Sequence, residues 1–388
     1  KGLLWFNGYW LLFSSLLAIK AICFWPRGKD SGWRKRLSLA AQEWKTYRFA
    51  GTAALVLWFV TAGFVYYNTK VLNTYKSDKE SEKLQVRYEK DYKKLEHALQ
   101  PRIYNVKYDI RLYPETRTCE ADGQYWVRNK HNRPIDSLLV QTPAGYLKFS
   151  LKNERLNLLL NDSAVDFRIY RIQPALAPGD SMLLTFNTVY RPEGFENELT
   201  VSEVVQNGTF FNNTSISPSL GYQSGGELLD KNKRKEYGLP EKSRMPALNP
   251  ADTVSRANSY LGNDADWVNL ETTISTSADQ IAIAPGSLLK EWTEGNRRYF
   301  HYKLEHKAWN FYSFMSARYE VAREEKNGIQ YEVYYHKDHA VNVPRMMKSM
   351  QKSLEYYTTH FGPYYQKQCR IIEFPRVASF AQAFPGTM

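Results

Sequence analysis

Cysteine is scarce in this 388-residue chain. Its three cysteines, Cys23, Cys119 and Cys369, are too few for a disulfide scaffold. No two of them form a Cys-x-x-Cys pair, which excludes a cysteine zinc knuckle and a thioredoxin-type redox site. Histidine is sparse as well. None of the seven, His97, His131, His301, His306, His336, His339 and His360, begins a His-Glu-x-x-His motif. His336 and His339 are spaced His-x-x-His, but at a strand end with no accompanying Glu helix, and a catalytic zinc needs three protein ligands plus a water. They read as surface or structural histidines, and this chain alone is not expected to bind catalytic zinc. Acidic residues are nearly missing from the first 68 positions, where nine Lys/Arg face only Asp30 and Glu43. The remaining 320 residues carry a surplus of only five basic groups out of the net +12. Most of the charge therefore lies outside the folded part, which argues against a nucleic-acid surface.

What the chain does have is 43% hydrophobic and 15% aromatic residues, enough to bury a core and to exclude disorder as its main state. Two apolar runs stand out, residues 2–25 and 50–67. Each meets the length of about 17–20 residues needed to cross a hydrocarbon layer. Lys20 lies near the end of the first run, within snorkelling reach of the interface. Trp5, Trp25, Tyr66 and Tyr67 sit near the ends, as interfacial anchors do. A cleaved signal peptide fits the first run poorly, since it lacks a basic start and a small-residue cleavage site. The basic segment 26–49 is expected to be a cytoplasmic loop by the positive-inside rule, placing residues 69–388 on the extracytoplasmic side, periplasmic or extracellular. Because the chain starts with Lys1, further membrane-spanning sequence is expected before it.

After the second run the pattern changes twice. In 69–101, Leu84, Tyr88, Tyr92, Leu95 and Leu99 make one narrow helical stripe closed by Pro101, which reads as a solvated juxtamembrane stalk. From 102 the period becomes two: Val106, Tyr108, Ile110 and Leu112 alternate with polar residues, and Cys119 to Val127 and Met182 to Tyr190 do the same. Further strands are predicted at 138–141, 165–169, 270–276, 299–304 and 312–321. Short strands with frequent turns indicate an antiparallel sandwich or saddle over 102–320. Residues 220–260 read as a long polar loop. From 321 an α+β pattern begins: a strand at 329–335, a helical face from Val343 through Met347, Met350 and Leu354 to Phe361, and a strand at 370–374.

The order of these pieces resembles the aminopeptidase N family of zinc metallopeptidases over 102–388. The residues that carry the resemblance are VKYDIRLYPETRTCEADGQYWVRN (106–129), APGDSMLLTFNTVY (177–190), Asp266-Trp267, IAPGSL (283–288), FYSFMSARYEV (311–321), IQYEVYYHKDHAVN (329–342) and FGPYY (361–365). The resemblance implies a β-saddle domain followed by the start of a thermolysin-like catalytic domain, truncated at 388, with zinc bound by ligands beyond this sequence. It also implies that PRVASFAQAFPG (375–386) corresponds to the family's Gly-Ala-Met-Glu-Asn strand, so that Ala381, Gln382, Ala383 and Phe384 would bind substrate. The family's amine-binding Glu falls on Ala383, and an alanine cannot replace its charge. Membrane spans joined to such a region also resemble bacterial fusions of an ABC-type transporter permease with an aminopeptidase-like domain, which would bring an ABC-type ATPase subunit as partner. The expected organisation is thus a transmembrane helical hairpin (1–68), a juxtamembrane helix (69–101), an all-β saddle or sandwich domain (102–320) and the beginning of an α+β domain (321–388). Two functions follow: a membrane-anchored metallopeptidase fragment, or a non-catalytic peptide- or partner-binding domain of a transporter permease. No catalytic and no metal-binding residue is assigned within the chain.

Overall fold

The structure, a computed structural model, describes residues 2–25, 32–73, 76–143, 145, 148–195, 203–242, 251, 262–375 and 381–384. The chain divides into two compact units, Lys1–Ser77 with Pro192–Thr200, and Asp78–Arg191 with Val201–Met388.

The first unit is built from two helices, α1 (Gly2–Phe24) and α2 (Trp33–Tyr66), the latter continued by a π-helical turn at Tyr67–Val71. They pair through aromatic contacts. Trp5 lies 4.2 Å from Phe64 between ring centroids, and Trp58 stacks on Tyr9 at 5.5 Å. Both helices are long and apolar enough to cross a membrane. Their outward side chains find no protein cover: Leu3, Leu11, Phe59 and Val60 are all more than 60% exposed. The segment expected as a loop, 26–49, is helical from Trp33 onward. Residues 33–49 contain neither Gly nor Pro, and Arg, Lys, Leu, Ala, Gln and Glu are good helix formers, so nothing in them stops the apolar helix from extending backwards. Residues 26–31 lie outside the described part.

The second unit begins with α3 (Asp78–Tyr92) and continues with β1 (Arg102–Tyr113), β2 (Thr118–Arg128), β3 (Ile135–Gln141), β4 (Lys148–Lys152), β5 (Leu156–Asp162), β6 (Phe167–Leu176) and β7 (Ser181–Tyr190). Next come β8 (Thr209–Asn212), β9 (Ser219–Leu220), α4 (Lys231–Glu236), β10 (Ala265–Ser277), β11 (Ile281–Ile283), β12 (Ser287–Glu294), β13 (Arg297–Lys303) and β14 (Ser313–Ala317). The last elements are β15 (Glu320–Lys326), β16 (Ile329–Tyr335), α5 (Val343–Phe361) and β17 (Gln368–Ile372). A seven-stranded sheet has the order β12-β13-β10-β1-β2-β7-β4, a four-stranded one β5-β6-β3-β9, and two three-stranded ones β11-β14-β8 and β15-β16-β17. This is a multi-sheet β domain.

The period-two residues of β1 are its core face. Val106, Tyr108, Ile110 and Leu112 are all at most 1% exposed. Each such side chain contributes about 1.5–3 kcal/mol by burial. A bulge between Ile103 and Asn105 explains why Ile103 and Val106, three residues apart, both point inward. The pairing is not purely antiparallel: β10 runs parallel to β1. The two strands are not consecutive: β2 to β9 lie between them in the chain, which leaves ample length for the crossover a parallel pair requires. The strand predicted over 312–321 is two strands, β14 and β15, belonging to different sheets.

The expected solvated stalk is instead a docked helix. On α3, Tyr88 and Tyr92 are buried, and Tyr88 stacks on Tyr222 at 5.0 Å and 7°. Tyr92 packs 4.5 Å from Phe167 of β6. Burial pushes the Tyr88 phenol up to about 12. Glu89 and Arg234 of α4 form a bidentate ion pair, both bonds 2.7 Å, with each side chain 2% exposed. Part of the predicted 220–260 loop is therefore structure: Asp230 caps α4 by accepting from the backbone N–H groups of Asn232 and Lys233. Residues 243–250 and 252–261 lie outside the described part.

The C-terminal β15–β16 hairpin turns at Asn327-Gly328, with φ of 54° and 74°. Two consecutive positive φ values define the turn type for which Asn-Gly is the preferred sequence. From β16 the chain crosses over through α5 and returns as β17, parallel to β16. One face of this sheet buries Val343, Met347 and Met350 of α5, and the other joins Tyr334 and Ile372 to Ile283 and Met315.

Candidate functional site

The four residues expected to hold substrate are described, and they divide sharply. Ala381, Gln382 and Ala383 are exposed, whereas Phe384 is 5% exposed and makes a single β-bridge. The seat for Phe384 comes from β8. Alternation along that strand sends Phe211 into the main core against Phe314, while Phe210 faces the other way. Phe210 stacks on Phe374 at 4.9 Å and lies 6.2 Å from Phe384, and Phe311 contacts Phe384 at 5.3 Å. Phe374 lies two residues past the end of β17, so the aromatic cluster holds the chain on both sides of 376–380, which lie outside the described residues. Sequence reading named Phe384 but missed its seat. The signal available there is the adjacent pair Phe210-Phe211, and adjacency alone does not say which ring faces which layer.

The neighbouring polar groups are committed to one another. Glu373 accepts from the His336 backbone N–H at 2.7 Å and pairs with the His339 ring. Its carbonyl accepts from the Tyr319 hydroxyl at 2.8 Å, and burial pushes that phenol's pKa up. His336 caps the following turn by accepting from the Asp338 N–H at its Nδ1. The His336 and His339 rings lie 5.3 Å apart between centroids, yet their Nδ1 atoms are turned to these partners. Among the described residues no three His, Cys, Asp or Glu side chains are grouped to hold a metal ion. The donor set described here does not fit a catalytic zinc.

No protein-family profile matches the chain, and no curated protein matches it. Among solved structures the chain is similar to an M1 zinc metallopeptidase mutant from Deinococcus radiodurans bound to a Tyr-Ser-Ala substrate, at TM-score 0.43 and 11% identity. It is also similar to a two-domain M1 zinc metallopeptidase mutant bound to L-tryptophan (TM-score 0.44, 11% identity) and to a further structure of the Deinococcus radiodurans enzyme (TM-score 0.43, 10% identity). Each match covers 70% of this chain, and the chain spans 56% of the length of each matched structure.

Proposed function

We propose that this chain provides the membrane anchor and the peptide-holding part of an aminopeptidase-like zinc metallopeptidase. The observation that carries the reading is the placement of 381–384: Phe384 is pinned in an aromatic seat while Ala381, Gln382 and Ala383 stay exposed beside it. A short backbone run held at one end and open to solvent can pair with an extended peptide, the main chain giving affinity. The order of motifs along 102–388 supports the same assignment. Zinc would be held by residues outside this sequence, and the role derived for these residues is binding alone.

Ala383 sets the specificity. With no carboxylate at that position, the unmodified protein should bind a free-amine peptide and its N-acetylated counterpart about equally, and Ala383→Glu should favour the free amine by about tenfold, the scale of a charge-assisted hydrogen bond. Fluorescence anisotropy with matched peptides measures this. A strong free-amine preference in the unmodified protein, unchanged by Ala383→Glu, would show that another group binds the amine. The same alanine favours a second reading, a non-catalytic peptide-binding domain of an ABC-type transporter permease working with an ATPase subunit. Its mark would be peptide binding without hydrolysis by the complete protein.

The anchor is proposed to cross the membrane twice, with the basic start of α2 cytoplasmic and residues 69–388 extracytoplasmic. The surplus of positive charge between the apolar runs supports this orientation. Single cysteines at Lys35 and Asn132, in a background lacking the three native ones, should label from opposite sides of the membrane. Labelling of both from one side refutes the topology.

A further inference from the structure

A polar cavity of about 540 Å³ opens between β12, β15, β16 and β17, away from 381–384 in its lining residues. Its wall carries Glu305, Glu325 and Glu332 against Arg323, Lys367 and Arg370, so the charges cancel. At its base Glu332 accepts from Arg370 Nε at 2.7 Å and from Arg323 Nε at 2.9 Å. Although burial opposes it, the two guanidiniums hold the Glu332 carboxyl below the usual carboxylate range. Arg370 is fixed further by donating to the Gly286 carbonyl at 2.9 Å. Gly286 itself is at φ +96°, where a Cβ would collide with the Lys303 carbonyl, so this wall admits only glycine.

The unexplained group is Gln368, on the same wall and 3% exposed. Its Nε2 is buried without a hydrogen-bond partner. Its Oε1 lies 3.1 Å from Ser287 Oγ, which is also 2.8 Å from Glu305 Oε1. A hydroxyl has one proton, and the carboxylate takes it. Turning the amide over would let Nε2 donate to Ser287, but Oε1 would then occupy the partnerless position. Either way one buried amide atom lacks a partner, which is destabilising unless a ligand supplies one.

We propose that this cavity binds a dipeptide-sized zwitterion. A ligand with net charge would meet repulsion from half the wall, and an apolar one would leave the wall's polar groups unpaired. Arg323 and Glu325 are two residues apart on β15, hence on one face and about 6.7 Å apart along the strand. That spacing suits the terminal carboxylate and ammonium of a dipeptide, whose central amide offers both a donor and an acceptor to Gln368. The site is independent of the reading given to 381–384.

The test uses the full chain in detergent, calorimetric titration with L-alanyl-L-alanine, and N-acetyl-L-alanyl-L-alanine amide as the uncharged control. At this cavity, measured as the binding that Gln368→Leu removes, the dipeptide should bind and the blocked form should bind at least about tenfold more weakly. Gln368→Leu should abolish dipeptide binding while raising the thermal midpoint of the ligand-free protein, because it removes an unpaired buried amide. Glu325→Gln, at an exposed position, should also weaken binding about tenfold and guards against a folding defect in the first variant. Leu159→Ala, at an exposed position on β5, should leave dipeptide binding unchanged. The proposal is overturned if the dipeptide does not bind at millimolar concentration, if both cavity substitutions leave dipeptide binding unchanged, or if the binding that Gln368→Leu removes is shared equally by the blocked form.

Discussion

Glu89→Ala is expected to destabilise the second unit by about 3–5 kcal/mol, the scale for removing one member of a buried ion pair. The reason is what remains. Arg234 is 2% exposed, and without Glu89 its guanidinium would keep only the Leu228 and Pro240 carbonyls, at 2.6 and 2.8 Å, as neutral acceptors for a full charge. Chemical denaturation followed by tryptophan fluorescence measures the loss. The double change Glu89→Met with Arg234→Met should recover part of it, since no charge is then buried, but not all, because those two carbonyls lose their donor. A loss below about 1 kcal/mol in the single variant would mean that α3 does not dock as described.

Phe314→Ala is expected to be comparably severe, about 3–5 kcal/mol, the usual range for emptying an aromatic core position. Phe314 is fully buried and touches Tyr108 of β1 at 5.6 Å, Phe211 of β8 at 5.6 Å and Tyr312 at 5.8 Å. It therefore joins the small β11-β14-β8 sheet to the central strand of the seven-stranded one, and its loss leaves a cavity that neither layer can close alone. Leu159→Ala is the matched control. Leu159 is 57% exposed on β5, and its truncation should change stability by no more than about 0.5 kcal/mol. Equal effects from the two substitutions would contradict the placement of the core.

Where a strand shows one face to the core, the sequence announces it. The alternation of Val106, Tyr108, Ile110 and Leu112 is the burial pattern of β1. Strands without alternation are read less well: β14 is legible only as part of the undivided run 312–321, and β5 is not read at all. In β14 all five residues are buried, while β5 exposes Leu158, Leu159 and Leu160 in succession. The docking of α3 was hidden for a different reason. A stripe of Tyr88 and Tyr92 tells that a helix has an apolar side, but the partners Phe167, Tyr222 and Arg234 are remote in sequence. The same holds for the aromatic seat of Phe384, which is assembled from Phe210, Phe311 and Phe374, residues that only the fold brings together. Gln368 carries no sequence signal at all, because an unpartnered amide is a property of its surroundings.

The central claim is that an extended peptide lies along 381–384. Its most direct test places a photo-reactive benzoylphenylalanine at position 382, in place of Gln382, and illuminates the protein with an added peptide. Position 382 should form a peptide adduct that excess unlabelled peptide suppresses, and the same residue at exposed Leu159 should form none. No adduct at position 382, or equal labelling at both positions, would contradict the account.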